Sequence, residues 1–178
     1  MRKLCVILPC LLAAAASAAP LDRLKADLLA GPSATVVLTD WCAARHIATP
    51  AVIHAERDKA THKPPAPAIR ALLKAHPDEA IHYRRVKLAC GGHVLSEADN
   101  WYRPSVLTPD MNSVLDQTDT PFGTAVKSLN FHRNTLDART GPDKSHPLEI
   151  RALLLTPQGE PFSLVVEDYS AELVRSAP

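Results

Sequence analysis

Hydrophobic residues recur at helical spacing in the first part of the chain. Over 21–30, LDRLKADLLA, the leucines lie on one stripe of a predicted helix, which ends at Gly31-Pro32. Ser33 is suited to cap a second helix over 34–45, because its side chain can accept from free backbone N–H groups. The buried face of that helix would carry Val37, Leu38, Trp41 and Cys42.

Apolar runs of strand length dominate the second part of the chain. Residues 81–90 and 93–103 flank Gly91-Gly92, a strong signal for a two-residue hairpin, and 148–156 and 161–169 flank a second tight turn. Further strands are predicted over 51–57 and 130–138, and further helices just after residue 67, over 109–117 and over 121–128. Helices followed by antiparallel hairpins predict one α+β domain with an antiparallel sheet.

Composition narrows the classes of function. The 178 residues suit one domain, and 46% of them are hydrophobic, enough for a sizeable core. The 20 basic and 19 acidic side chains form no block of like charge, so nothing indicates binding to nucleic acid or to a membrane surface. The eight histidines stand in different predicted elements without metal-ligand spacing. No metal site is therefore predicted.

The N-terminus has the pattern of a targeting segment. Arg2 and Lys3 precede the apolar stretch 5–16, which is short for a bilayer span, and Ala16-Ser17-Ala18 supplies the small residues that signal peptidase recognises. We expect 1–18 to be a cleaved signal peptide; the alternatives are an uncleaved anchor and a buried first helix. The protein would then be periplasmic or secreted, with no membrane span in the mature chain.

Export would change the interpretation of the cysteines. Cys5 and Cys10 would leave with the signal peptide, so the mature domain, 19–178, would retain Cys42 and Cys90. A disulfide can persist in an exported protein, and the alternative is two separate buried thiols. The sequence contains no distance between the two residues, and both interpretations stay open.

Arg85 is the first candidate site residue. In the strand over 81–90, Val86 takes one face and Arg85 takes the other, with aromatic and apolar neighbours. A guanidinium in such surroundings requires an anionic partner, because a buried charge is costly when it is unpaired. The alternative is an exposed face on which Arg85 pairs with Glu97 or Asp99 across the hairpin.

Glu167 is the second candidate. It follows the apolar run FSLVV and lies on the predicted face of Val165 and Tyr169, whereas Asp168 points the other way. A desolvated carboxyl at this place could serve as an acid. The alternative is that the strand ends at Val166 and that both acids are solvated.

Four stretches together resemble one known family. They are LLAGPSAT at 28–35, RRVKLACGG at 84–92, TPFG at 120–123 and EPFSLVVE at 160–167. In this order and spacing, over most of the mature chain, the sequence is similar to the bacterial chorismate pyruvate-lyases. It is similar as well to the related effector-binding domains of some transcription regulators.

The resemblance implies a fold and a set of roles. The fold would have about six antiparallel strands with helices that enclose the ligand, and no cofactor is implied. Carried over by position, Arg85 would bind the ring carboxylate, assisted by backbone N–H groups near Ala34 and Phe122. Glu167 would hydrogen-bond the 4-hydroxyl and help the enolpyruvyl group to leave.

The activity implied by the resemblance is conversion of chorismate to 4-hydroxybenzoate and pyruvate. Loss of pyruvate forms an aromatic ring, so a site need only neutralise the dianion, position the leaving ether and exclude water. This lyase activity is the leading expectation. Because chorismate is a cytoplasmic metabolite, an exported relative could instead act on another aromatic acid, and the alternative is a non-catalytic exported binder of a small aromatic carboxylate. A structural or interaction module is a third possibility. We expect a monomer that binds a small aromatic carboxylate.

Overall fold

The computed structural model describes residues 19–175, and the predicted signal peptide lies outside them. Within these residues, six strands form one antiparallel sheet in the order β1-β2-β3-β6-β5-β4. The strands are β1 (Ile53–Asp58), β2 (His82–Cys90), β3 (His93–Tyr102), β4 (His132–Thr140), β5 (Leu148–Leu155) and β6 (Pro161–Tyr169). The predicted α+β class with about six antiparallel strands is confirmed.

Five α-helices flank the sheet in the part of the chain that the structure describes. They are α1 (Pro20–Ala30), α2 (Ala34–Ala44), α3 (Pro67–Leu72), α4 (Pro109–Gln117) and α5 (Phe122–Ala125). Ser33 caps α2 as predicted, since its Oγ accepts from the backbone N–H of Val36 at 3.3 Å. The helix predicted over 121–128 is shorter than expected, because a 3₁₀ turn at Lys127–Leu129 replaces its second half.

The register across the sheet decides which side chains share a face. Arg84 of β2 lies opposite Asn100 of β3, which lies opposite Val165 of β6. Directly opposed residues point to the same side of a sheet. Two residues further along β6, Glu167 lies on this side as well, and we call it the inner face.

Helices cover the two faces unequally. On the inner face, apolar residues of α1 and α2 pack against β2, β3 and β5. Residues of α4 and α5 pack around Tyr102, the last residue of β3. On the outer face, α3 and the residues just after it cover one region, where Leu73 packs with Trp101 and Leu164. Beside this region, the outer face carries charged side chains, among them Arg85, Glu97 and Asp99. The inner face therefore has the larger apolar core and is the face on which a ligand could be enclosed.

A disulfide joins α2 to the sheet. Cys42 of α2 and Cys90 at the end of β2 are bonded to each other, and both residues are completely buried. Of the two interpretations that the sequence left open, the bridge is the one the structure has. It fixes α2 over the inner face, and the N-terminus of that helix lies at the cavity described next.

Candidate ligand-binding site

A cavity lies between the inner face of the sheet and the segments that begin α2 and form α5. Its free volume is about 50 Å³, which is room for a few water molecules without any movement of the walls. Apolar side chains make most of the wall: Ala34, Val86, Leu88, Ala98, Phe122, Phe131, Leu154 and Val165. The polar side chains in it are few, as is typical of sites that orient a small ligand.

Arg84 is the principal charged group on one side of the cavity. The residue is 4% exposed, and its Nη2 donates to the backbone carbonyl of Thr120 at 3.0 Å. Within residues 19–175, its Nε and Nη1 have no hydrogen-bond partner. Burial, and then the nearby charge of Arg57, lower the pKa of Arg84 to about 10, so the side chain is still charged at neutral pH. A buried guanidinium with two unpaired donors is unfavourable, and an anion bound beside it would supply both the opposite charge and the acceptors.

Further donors lie beside Arg84. Asn100 accepts from Ser163 Oγ at 2.6 Å through its Oδ1, while its Nδ2 has no partner among the described residues. Ala34 and Thr35, in the first turn of α2, line the same cavity. Their backbone N–H groups have no acceptor within the helix, and the helix dipole favours negative charge at that end. All of these groups favour an anion in the cavity.

Glu167 forms a buried ion pair in the same cavity. Its Oε2 accepts from Arg133 Nη2 at 2.5 Å and from the hydroxyl of Tyr169 at 2.9 Å. The side chains of Arg133 and Glu167 are 5% and 7% exposed. Burial opposes the charge on Arg133, but Glu167 holds the pKa of Arg133 above its usual range. Burial, and then the charge of Glu167, raise the pKa of Tyr169, so its hydroxyl stays protonated and donates.

The structure brings three of the four predicted site residues together. Ala34, Phe122 and Glu167 line the cavity, and Glu167 lies on the face that the strand pattern predicts. Arg85 does not reach the cavity. The roles that the family resemblance gives to these residues remain predictions.

The expectation that Arg85 faces the ligand cavity is wrong. Arg85 lies on the outer face, where its guanidinium binds Glu97 at 2.6 Å and Asp99 at 3.1 Å. The reason is the alternation of side chains along β2, which places Arg84, and not Arg85, on the same face as Val86. The alternative interpretation, an ion pair across the hairpin on an exposed face, describes Arg85 correctly.

Sequence reasoning missed three polar groups of the cavity. Arg84 and Asn100 could have been found, because each lies an even number of residues from an apolar inner-face residue of its own strand. Arg133 gave no such signal. Most residues of β4 are polar, and each of them is exposed or only partly buried. A bulge between Thr135 and Asp137 also interrupts the alternation of the two faces.

Two further findings concern metals and membranes. In the part of the chain that the structure describes, no group of three or more His, Cys, Asp or Glu side chains could hold a metal ion. No helix among residues 19–175 is long and apolar enough to cross a membrane.

Solved structures of similar fold define the class of domain. The PhnF protein from Mycobacterium smegmatis superposes with a TM-score of 0.58 at 8% identity, covering 83% of this chain and 67% of that one. Its effector domain alone gives 0.50 at 8% identity, covering 67% and 82%. A protein described as a possible transcriptional regulator, YydK from Bacillus subtilis, gives 0.50 at 15% identity, covering 71% of this chain. The match spans 62% of YydK, less than two thirds of its length.

The fold is therefore the chorismate lyase-like α+β fold of regulator effector-binding domains. At these identities the likeness shows the fold alone. No protein-family model matches the sequence. The protein y4mC of Sinorhizobium fredii strain NGR234, itself uncharacterised, is 44% identical over 175 residues, covering 85% of this chain and 74% of that protein. The chain belongs to the same family as y4mC.

Proposed function

We propose that this protein binds a small aromatic carboxylate in the cavity, with the carboxylate group on Arg84. The observation that carries the proposal is the buried guanidinium, which is 4% exposed and has two N–H groups without a partner among residues 19–175. A planar guanidinium matches a carboxylate with two parallel hydrogen bonds. The similar fold of an effector domain supports binding as the function.

The remaining walls suit an aromatic ring. Phe122, Phe131 and Leu154 are among the side chains around the cavity, and aromatic edges and faces pack well against another ring. The free volume of about 50 Å³ is smaller than the roughly 150 Å³ of an apolar cavity that takes benzene. A ring can therefore enter only if part of the wall moves outward. The shortest helix in the wall is α5, which is a single helical turn.

Glu167 supports a second candidate function, the release of pyruvate from chorismate to form 4-hydroxybenzoate. The carboxylate lines the same cavity as Arg84, and the pair with Arg133 fixes its direction. A site that excludes water and holds the ring carboxylate could promote this elimination by positioning alone. We place the binding function first, because Arg84 has donors without a partner among residues 19–175, whereas Glu167 already accepts from Arg133 and Tyr169.

We also propose that the protein is exported, with cleavage of 1–18. The sequence pattern of that segment motivates the proposal, and the Cys42–Cys90 bridge supports it, because disulfides persist in oxidising compartments. N-terminal sequencing of protein secreted by a bacterial host should begin at or near Ala19. Recovery of the protein in the cytoplasm with Met1 intact would contradict export.

Two neighbouring arginines provide a matched test of the binding function. Arg84→Met should weaken binding of 4-hydroxybenzoate by roughly 3–5 kcal/mol, because the bound carboxylate would lose its buried partner. Arg85→Met removes the same charge one residue away on the outer face and should leave the Kd unchanged. Isothermal titration calorimetry of the two variants and the wild-type protein gives the comparison. Equal Kd values for all three would contradict the proposal.

A coupled pyruvate assay separates the two candidate functions. Purified protein mixed with chorismate should release no pyruvate above the uncatalysed rate if the protein is a binder. Release of pyruvate that depends on Glu167, and that Glu167→Gln abolishes while 4-hydroxybenzoate still binds, would establish the lyase instead. The assay is run without added metal.

A further inference from the structure

The disulfide joins the two elements that bring hydrogen-bond donors to the cavity. Cys90 is the last residue of β2, the strand that carries Arg84. Cys42 lies on α2, whose first residues, Ala34 and Thr35, line the cavity. We propose that the bridge is a positioning device for the ligand site, and that tight binding of a carboxylate requires the oxidised form of the protein. This role presupposes the proposed function, carboxylate binding at Arg84.

The bridge acts on the cavity through the length of α2. At about 1.5 Å per residue, roughly 12 Å of helix separates Cys42 from Ala34. A tilt of about 10° at the Cys42 end would move the first turn by about 2 Å. Hydrogen bonds of ordinary length do not survive such a displacement. The N–H groups of the first turn therefore serve a bound anion only while α2 keeps its place.

Apart from the bridge, α2 is held on the sheet by apolar packing. Its buried side chains Val37, Leu38 and Trp41 belong to the core of the inner face. Within residues 19–175, no hydrogen bond joins residues 34–44 to a strand, and the indole N–H of Trp41 donates to Asp27 of α1 at 2.9 Å. Apolar packing is non-directional, so it resists a small tilt of the helix less than a covalent bond does. The bridge supplies that constraint.

Reduction of the bridge would leave two thiols in the core. One S–S bond breaks, and a dithiol reagent supplies two electrons and two protons while it is itself oxidised to a disulfide. Cys42 and Cys90 are completely buried, and free thiols pack as small apolar groups. The helix should therefore stay on the sheet after reduction, without its covalent constraint.

Titrations with and without the bridge test this role. Isothermal titration calorimetry gives the Kd of 4-hydroxybenzoate for the oxidised protein, for protein refolded in dithiothreitol and for Cys42→Ala/Cys90→Ala, and circular dichroism shows which forms are folded. Near neutral pH, loss of the bridge should raise the Kd by about tenfold, which lies within the range for an anion at a partly buried helix N-terminus. An unchanged Kd in a folded form without the bridge would overturn the proposal.

A destabilised variant with an intact bridge is the matched control. Leu73→Ala truncates a completely buried side chain on the other side of the sheet, where Leu73 packs with Trp101 and Leu164. Truncation in a core destabilises a protein strongly, but α2 keeps its bridge, so the Kd should stay as in the wild-type protein. If Leu73→Ala raises the Kd as much as loss of the bridge does, lower stability alone explains the effect and the positioning role is refuted.

NMR spectroscopy of the backbone amides shows the position of α2 directly. In the oxidised protein, saturating 4-hydroxybenzoate should shift the amide signals of Ala34 and Thr35, and in the forms without the bridge these shifts should be smaller. Equal shifts in both forms would contradict the proposal. If reduced protein and Cys42→Ala/Cys90→Ala are both unfolded, the bridge is a requirement for folding and its positioning role is refuted as well.

The proposed function is tested separately. If Arg84→Met weakens binding and Arg85→Met does not, while the protein without the bridge binds as tightly as the oxidised protein, the proposed function stands and the role of the bridge falls. If the oxidised wild-type protein does not bind 4-hydroxybenzoate, the proposed function falls and the role of the bridge falls with it.

Discussion

Arg84→Met should stabilise the ligand-free protein, although it removes the residue on which binding depends. The lowered pKa of about 10 corresponds to a cost of about 3 kcal/mol for the charged side chain in the folded state, at about 1.4 kcal/mol for each pKa unit. Methionine removes that cost and the two unused N–H groups. It also removes the hydrogen bond to Thr120, which is worth roughly 1.5–3 kcal/mol because the donor is charged. The net expectation is a gain of up to about 1.5 kcal/mol in the free energy of unfolding.

Arg85→Met is the matched comparison and should have the opposite sign. Arg85 is paired with Glu97 and Asp99 on a partly exposed face, and its loss should cost about 1 kcal/mol. Urea unfolding of both variants and the wild-type protein at neutral pH, without ligand, measures the difference. With 4-hydroxybenzoate present, the wild-type protein should gain stability and Arg84→Met should not, because a ligand that binds the folded state stabilises it by mass action.

One result would refute this reasoning. If Arg84→Met loses as much stability as Arg85→Met or more, the guanidinium of Arg84 is a structural group whose charge is already satisfied in the free protein. The cavity would then have no unpaired cation to offer a carboxylate.

The remaining predictions concern the disulfide and two acids of the outer face. The double variant Cys42→Ala/Cys90→Ala should lose about 4 kcal/mol in urea unfolding, because the bridge closes a loop of 48 residues; unchanged stability would contradict this. Asp99→Asn should lose stability at neutral pH. Burial raises the pKa of Asp99, but hydrogen bonds from Lys63 and other donors outweigh burial and lower it. The stability difference between Asp99→Asn and the wild-type protein should therefore shrink as the pH falls below about 4. Asp168→Asn should gain stability at neutral pH, because burial and then Glu149 raise the pKa of Asp168. The gain should begin to shrink as the pH falls through that raised pKa and should vanish below the ordinary Asp pKa of about 4. Shifts of the same sign in these two variants would show that the charges of the outer face do not act as described.

Most of the fold could be predicted from local patterns. The periodic leucines of α1, the Ser33 cap of α2 and the Gly91-Gly92 turn each act within a few neighbouring residues, and the observed elements begin and end close to the predicted bounds. Such signals need no knowledge of the tertiary structure. The disulfide could be named as a possibility and no more, because 48 residues separate the two cysteines.

The site was less accessible from the sequence. Glu167 follows directly from strand alternation, and the same rule, applied to the inner face of β2, selects Arg84 over Arg85. Arg133 could not be found in this way, since its partner Glu167 lies 34 residues away. No local pattern records that contact. The charge balance of the cavity therefore requires the structure.

A crystal structure of the protein grown with 4-hydroxybenzoate tests the central claim most directly. We predict that the ligand lies in the cavity on the inner face, with its carboxylate within hydrogen-bonding distance of Nε or Nη1 of Arg84 and its hydroxyl toward Glu167 and Arg133. A ligand bound on the outer face beside Arg85, or a cavity that stays closed while calorimetry records binding, would contradict the account.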